Sequence, residues 1–244
     1  MKKIFINKRA VQGKTILLDA QESNHLINAL RYQAGDSVLV SDQQQTEYET
    51  VIEKVTDGRA LLKITSAKPI EKTGLTIRLV QGLCKGDKMD WVVQKAAEFG
   101  VSEIVPLETM RTIVRLDADK AKKKVDRWQK IALAAAKQSG APAVMTVSGV
   151  KKISEMAAEE NGNDLRLLFW EEALPGSLKE VLKEHQPESI TIFIGPEGGF
   201  DSTEVRLLEE SGVKTVSLGQ QILRTETAAV AATVCVMYHY DRLG

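Results

Sequence analysis

Cysteine, histidine and long apolar runs are scarce in this chain, and each scarcity excludes a class of protein. There are 2 cysteines, Cys84 and Cys235, in 244 residues, both in apolar surroundings. They cannot build the disulfide framework of a small secreted domain, and a reducing, cytoplasmic setting is the expectation. The 3 histidines, His25, His185 and His239, are scattered, and no Cys/His ligand spacing occurs, so no metal site is expected. No apolar run reaches the ~18 residues a membrane span needs. The opening MKKIFINKRA has lysines but no apolar stretch behind them, so it does not read as a signal peptide. Neither G-x-x-x-x-G-K-[ST] nor G-x-S-x-G is present, which removes the phosphate-binding P-loop and the nucleophile elbow of serine hydrolases.

What remains is an ordinary globular composition, 43% hydrophobic and 27% charged. Net charge is zero but unevenly spread. From Arg111 to Lys137 nine basic residues face three acidic ones, whereas from Lys151 to Glu210 six basic residues face fourteen acidic ones. A neutral chain of this kind can still present a basic face to a polyanion, although solvated helix faces would give the same counts.

Residues 1–70 read as a small β-barrel. KTILLDA, DSVLVSD, EYETVIEKV and RALLKITSA are short strand-like runs punctuated by Gly, Asp and Asn. One helix interrupts them, opening at Ser23-Asn24 and running through HLINALRY, and Gly35-Asp36 turns the chain back into a strand. KPIEKTG, residues 68–74, reads as a linker. Residues 75–244 alternate strands (LTIRLVQGL, EIVPL, LRLLFW, SITIFIG, KTVSL) with helical segments, the pattern of an α/β domain with a mostly parallel sheet covered on both faces. The helix of residues 119–139 gathers Val125, Trp128, Ile131, Ala132 and Ala135 on one face and lysines on the other. In the last helix, Thr225 reads as N-cap and Glu226 as a first-turn acid. Its body, Ala228 to Met237, is apolar nearly all round, so it must be threaded into the protein or buried in a subunit interface.

Ligands of open parallel sheets bind at the carboxyl ends of the strands. Three such ends stand out: FWEE, GPEGG and LGQQILRTETA. Asp201 and Glu204 after GPEGG have the spacing of a helix-capping box. GPEGG lacks the spacing of a dinucleotide fingerprint, and an acid in a phosphate loop would repel its ligand. The pocket is therefore expected to hold a neutral or cationic ligand, unless the loop is merely a tight turn.

IGPEGGF followed by LGQQILRTETAA resembles the SPOUT superfamily of knotted methyltransferases, and within it the ribosomal RNA small subunit methyltransferase E family. HLINALRYQAGD is similar to that family's N-terminal PUA-like RNA-binding domain, and KGDKMDWVVQKAAEFGVSEIVPL to its first strand–helix–strand unit. The resemblance implies a PUA-like β-barrel over 1–70, a SPOUT domain with a deep trefoil knot over 75–244, S-adenosylmethionine (SAM) as cofactor, a homodimer, and N3 methylation of a uridine in the 16S rRNA of the small ribosomal subunit. Two positions depart from the family: Ala141 stands where an Arg is usual, and Asp90 where Glu is common. The implied cofactor site comprises Trp170, Gly195, Glu197, Gly198, Gly199, Leu218, Gly219, Ile222, Leu223, Thr227 and Ala228. Glu226 is a candidate to take the uracil N3 proton and Arg224 to stabilise the charge developing on O2/O4. Helix capping and a structural ion pair are the plain alternatives for these two. Arg31, Lys85, Lys88, Arg111, Arg115, Lys122, Lys123, Lys124 and Arg127 are candidates to track RNA phosphates. Methylation of another RNA atom, such as a ribose 2′-OH, and a non-catalytic RNA-binding assembly factor stay open as other readings.

Overall fold

The computed structural model describes residues 2–42, 46–70, 74–159, 164–174 and 177–243. They form two compact units, residues 1–72 together with 136–144, and residues 73–135 together with 145–244.

The first unit contains β1 (Lys2–Phe5), β2 (Val11–Gln12), β3 (Thr15–Leu17), α1 (Ala20–Asn24), β4 (Ser37–Ser41), β5 (Thr46–Thr56) and β6 (Arg59–Pro69). They make one sheet in the order β1-β4-β5-β6-β3-β2. Only the β1–β4 pairing is parallel. Strand alternation sends Ile4, Ile16, Val38, Val40, Ile52 and Leu62 into the core with Leu26 of the helical turn. Asp57 and Gly58 both take positive φ, 52° and 72°, as the tight β5–β6 hairpin requires.

The helix here starts earlier than the sequence suggested. Asp19 is its N-cap, Oδ1 accepting from the Glu22 N–H at 2.8 Å. Ser23 and Asn24 lie inside the helical run, which continues as a π-turn over His25–Ala29. Ser23 Oγ is spent instead on the buried Ala60 N–H at 3.0 Å, tying helix to sheet. The expected linker is also shorter than read. Lys68 and Pro69 still pair with Glu47 and Thr46 in β5, and 71–73 lie outside the described residues. Residues 136–144 dock on this unit through Ser41 Oγ to the Pro142 carbonyl, at 3.0 Å, and through a Lys137–Glu22 ion pair. Ala141, at the position where the family resemblance implies Arg, is buried there.

The second unit contains β7 (Thr76–Gly82), α2 (Lys88–Glu98), β8 (Glu103–Glu108), α3 (Ala118–Ser139, whose last turn belongs to the first unit), β9 (Thr146–Val147), β10 (Lys151–Lys152), α4 (Ile153–Ala157), β11 (Asp164–Phe169), α5 (Ser177–Glu184), β12 (Ser189–Ile194), α6 (Ser202–Glu210), β13 (Lys214–Val216) and α7 (Thr225–His239). Every strand pairing is parallel, in the order β10-β8-β7-β12-β11-β13, with β9 also on β8. Both faces are covered. Met89, Val92, Trp128, Ala132, Leu182, Ala229 and Val236 pack on one side. Ile153, Met156, Phe200, Val205 and Leu208 pack on the other. This double burial is why β7, β11 and β12 are apolar runs rather than alternating ones.

Candidate functional site

The bare loop after β12 has a packing reason at each glycine. A Cβ on Gly195 would stand 3.1 Å from the Gly199 backbone and 3.2 Å from the Phe200 ring. Gly198 faces Arg111, its missing Cβ 3.1 Å from that residue's Cβ. Gly199 takes φ +68°, and a Cβ there would meet Glu171 Oε1 at 2.5 Å. The loop thus folds on itself and against the ends of β8 and β11. The capping box behind it is present: Asp201 Oδ1 accepts from the Thr203 N–H at 3.1 Å, and Glu204 Oε2 from the Asp201 N–H at 3.0 Å. Gly82 at the end of β7 escaped the sequence reading. A Cβ on it would lie 2.4 Å from Pro196 N and 2.8 Å from Gly195 C, the tightest approach in the region.

Behind this loop lies a cavity of about 480 Å³. Its walls are the ends of the three strands expected to carry the site. Phe169 ends β11, with Trp170 and Glu171 after it; Ile194 ends β12, with Gly195 to Phe200 after it; Ser217, Leu218, Gly219 and Gln221 to Thr225 follow β13; Ala228 and Lys88 complete it. The candidates Trp170, Gly195, Glu197, Gly198, Gly199, Leu218, Gly219, Ile222, Leu223 and Ala228 all border it, as does Arg224. Thr227 does not; it is exposed on α7. Gly219 has φ +123°, a value that favours glycine. Ile222 is 85% exposed although apolar. Pro196 and Gln221 were missed individually although they lie within GPEGG and LGQQILRTETA, and Ser217 stands one residue before the latter.

The first turn of α7 is fastened by a hydrogen-bond relay. Thr225 is its first helical residue and not its N-cap; Arg224 occupies the cap, with no side-chain cap bond. The Thr225 hydroxyl donates to the Gly195 carbonyl at 2.6 Å and accepts from the Gln81 amide at 2.9 Å. Gln81 is fully buried. Three segments distant in sequence, the end of β7, the loop after β12 and α7, therefore meet at one hydroxyl. Thr225→Val keeps the shape but strips both partners, so stability should fall by about 1–3 kcal/mol while Thr225→Ser stays near wild type. Urea unfolding of the two variants measures this.

Glu226, the next residue, has a side chain 18% exposed. Its Oε2 is buried without a hydrogen-bond partner and lies 3.8 Å from Lys88 Nζ. Glu197 turns to the same lysine, at 3.0 Å, and accepts the Lys85 N–H, also at 3.0 Å. Burial works to raise the Glu197 carboxyl, but backbone N–H groups and the Lys88 ammonium outweigh it and hold it below the usual carboxylate range. Cys84, close by, is pushed up to about 12 chiefly by burial. It is a thiol, not a nucleophile.

The basic candidates divide. Lys122, Lys123 and Arg127 are exposed on α3 and Lys124 is half-buried beside them. Arg127 pairs with Asp90, which also accepts the buried Trp128 indole N–H at 2.9 Å. Arg111 is bonded into the glycine loop, to the Gly198 carbonyl at 3.2 Å and Asp201 at 3.3 Å. Arg115 pairs with Glu108. Lys88 borders the cavity. Arg31 lies in the first unit, exposed, at φ 60°. Among the described residues no cluster of His, Cys, Asp and Glu is suited to a metal ion, and no helix is long and apolar enough to cross a membrane.

Residues 71–237 match the family model of the RNA methyltransferase domain, and residues 18–65 that of the RNA methyltransferase PUA domain. Over 253 aligned positions the chain is 32% identical to Ribosomal RNA small subunit methyltransferase E of Bacillus subtilis (strain 168), spanning 100% of this chain and 98% of that relative. The fold superimposes with a TM-score of 0.86 and 29% identity on the crystal structure of a Ribosomal RNA small subunit methyltransferase E from Neisseria gonorrhoeae bound to S-adenosyl methionine, covering 98% of this chain and 97% of that one. A Legionella pneumophila structure described as a methyltransferase in complex with SAM gives 0.83 and 28% over 97% and 96% of the two chains. Matched along its whole length and in both of its parts, the chain belongs to the ribosomal RNA small subunit methyltransferase E family of RNA methyltransferases.

Proposed function

We propose that this protein methylates N3 of a uridine in 16S rRNA with SAM as cofactor, using the cavity at the ends of β11, β12 and β13. The observation that carries the reading is that cavity's chemistry. Its size suits a cofactor. Leu218, Ile222 and Leu223 offer apolar walls for an adenine, and Ile222 is otherwise unaccountably exposed. Carboxylates of Glu171 and Glu197 border it, and Glu226, which is not itself in the wall, reaches the bordering Lys88 at 3.8 Å; acids so placed suit a cation and disfavour a phosphate. When bound, SAM supplies an electrophilic methyl group on a sulfonium. The protein's part is to place the uracil, remove its N3 proton and hold the charge that results. Glu226 takes the proton and Arg224 faces the developing O2/O4 charge. Titration calorimetry with SAM tests the pocket. Binding is expected, and no heat at any SAM concentration would favour an RNA-binding assembly factor that keeps the fold.

Residues 1–70 serve as the RNA-binding, PUA-like unit and residues 75–244 as the catalytic one, in the cytoplasm. The exposed lysines of α3 supply phosphate contacts. Replacing Lys122, Lys123 and Lys124 by Ala should weaken RNA binding and leave SAM affinity intact. Each lost contact should flatten the dependence of log K on log salt by about 0.7. An unchanged slope returns these lysines to a solvated helix face.

Two further features complete the reading. β13 sits at the sheet edge on β11, yet α7 packs against α2, β7 and β12, so the intervening segment must cross back over the strand ends. We take this return as the trefoil knot. The other concerns the face of α7 away from the sheet: Ala231 and Val234 are partly covered, Cys235 is exposed, and Tyr238 is 77% exposed. Spaced 3 or 4 residues apart, they form one stripe that a second copy of the chain covers in a homodimer. Sedimentation velocity should show a dimer that Val234→Glu dissociates; a wild-type monomer at all concentrations contradicts this.

A further inference from the structure

A lysine beside a glycine turn reads as a phosphate contact, and Lys88 was a candidate for that role. Its surroundings say otherwise. It is the first residue of α2, where an ammonium faces the positive end of the helix dipole. Such a placement requires compensation, and two carboxylates provide it. Nζ bonds to Glu197 Oε1 at 3.0 Å and stands 3.8 Å from Glu226 Oε2. The hydrogen bond to Glu197 is the main reason the ammonium is held above the ordinary lysine range; burial opposes it, and the Glu197 and Glu226 charges add to it. A phosphate arriving at Lys88 would meet two negative charges for one positive.

From this arrangement we infer that Lys88 is a positioning residue of the methyl-transfer site. It bridges the loop after β12 to the first turn of α7 and holds the Glu226 carboxylate in place. The inference rests on the proposed role of Glu226. That residue's Oε2 is buried and has no hydrogen bond, so Lys88 is the cation that offsets its desolvation. Without the lysine, Glu197 and Glu226 would lose the cation they share, and a buried carboxylate oxygen with no hydrogen bond would lose its counter-charge.

A double-mutant cycle tests this. Single-turnover methylation of small ribosomal subunits lacking the modification is measured at saturating SAM and RNA for Lys88→Met, Lys88→Arg, Glu226→Gln and Lys88→Met/Glu226→Gln, with melting temperatures alongside. Lys88→Met should slow transfer at least ~10-fold, and Lys88→Arg, which keeps a cation, should recover most of the rate. In the Glu226→Gln background the same Lys88→Met change should cost less than about twofold, because the group it positions is gone. The slope of RNA affinity against salt should not change. Equal loss in both backgrounds, a Lys88→Arg as slow as Lys88→Met, or a slope flattened by about 0.7 each overturns the inference. If Lys88→Met fails to fold, Lys88→Arg and Lys88→Gln carry the comparison: equal rates overturn the proposal, and a fast Arg beside a slow Gln upholds it. The underlying reading fails separately. A wild-type rate in Glu226→Gln removes the Glu226 role and Lys88's with it, whereas a slow Glu226→Gln with additive Lys88→Met removes only Lys88's.

Discussion

Glu226→Gln is expected to slow single-turnover methylation by ~10²–10⁴-fold, the usual contribution of general acid–base assistance, with SAM affinity changed little. Gln has nearly the size of Glu and keeps an amide oxygen for Lys88, 3.8 Å away, so the first turn of α7 should survive. What is lost is basicity at a group paired with Lys88, which borders the cavity. The fold itself should weaken only slightly, because a first-turn acid contributes about 0.3–1 kcal/mol through the helix dipole. If the variant reacts at the wild-type rate, Glu226 serves the helix and the N3 proton leaves by another route. A rate lost together with SAM affinity would instead assign Glu226 to the cofactor pocket.

Gly82→Ala should be the most damaging single methyl group in the second unit. Its Cβ would be built 2.4 Å from Pro196 N, 2.6 Å from Pro196 Cδ and 2.8 Å from Gly195 C. Two of these are backbone atoms of the loop that closes the cavity and cannot rotate aside, so β7 and the loop must separate. Overpacking of this kind costs about 1–3 kcal/mol or more. The Gly195 carbonyl would then leave Thr225, unfastening α7 as well. We expect a lower melting temperature and SAM affinity weakened on the order of 10–100-fold, since each 1.4 kcal/mol is a factor of ten. Gly198→Ala is the contrast. Its Cβ would meet Arg111 Cβ at 3.1 Å and the Arg111 carbonyl at 3.4 Å, tight contacts that a shift of a few tenths of an ångström relieves, so the loss should be smaller. Equal affinities for the two variants, measured by calorimetry, would show that the β7–loop crossing does not shape the pocket.

The strands of the second unit were legible because burial on both faces leaves apolar runs, and the helices between them because their apolar faces recur at helical spacing. FWEE (169–172), GPEGG (195–199) and LGQQILRTETA (218–228) could be singled out because an open parallel sheet binds ligands at the carboxyl ends of its strands. What failed was anything set by a partner distant in sequence. Thr225 has the side chain of an N-cap, but Gly195 and Gln81 claim its hydroxyl. Ser23 and Asn24 look like a helix start, yet Asp19 caps the helix and Ser23 is taken by Ala60. Lys88 reads as a phosphate contact, and only the fold sets Glu197 and Glu226, more than a hundred residues away, beside it. The short β9, β10 and α4 carry too few residues to show a period. Glycines announced that the chain comes close to something; only the fold shows that at Gly82 and Gly199 it comes close to itself.

Methyl transfer to a uridine N3 underlies every role assigned to the cavity. Its most direct test is mass-spectrometric mapping of modified nucleosides in 16S rRNA after small ribosomal subunits lacking the modification are incubated with the protein and SAM. One N3-methyluridine at a single position is expected, absent without SAM and greatly reduced with Glu226→Gln. A methyl group on a ribose 2′-oxygen, or no methylated nucleoside from protein that binds SAM, would contradict it.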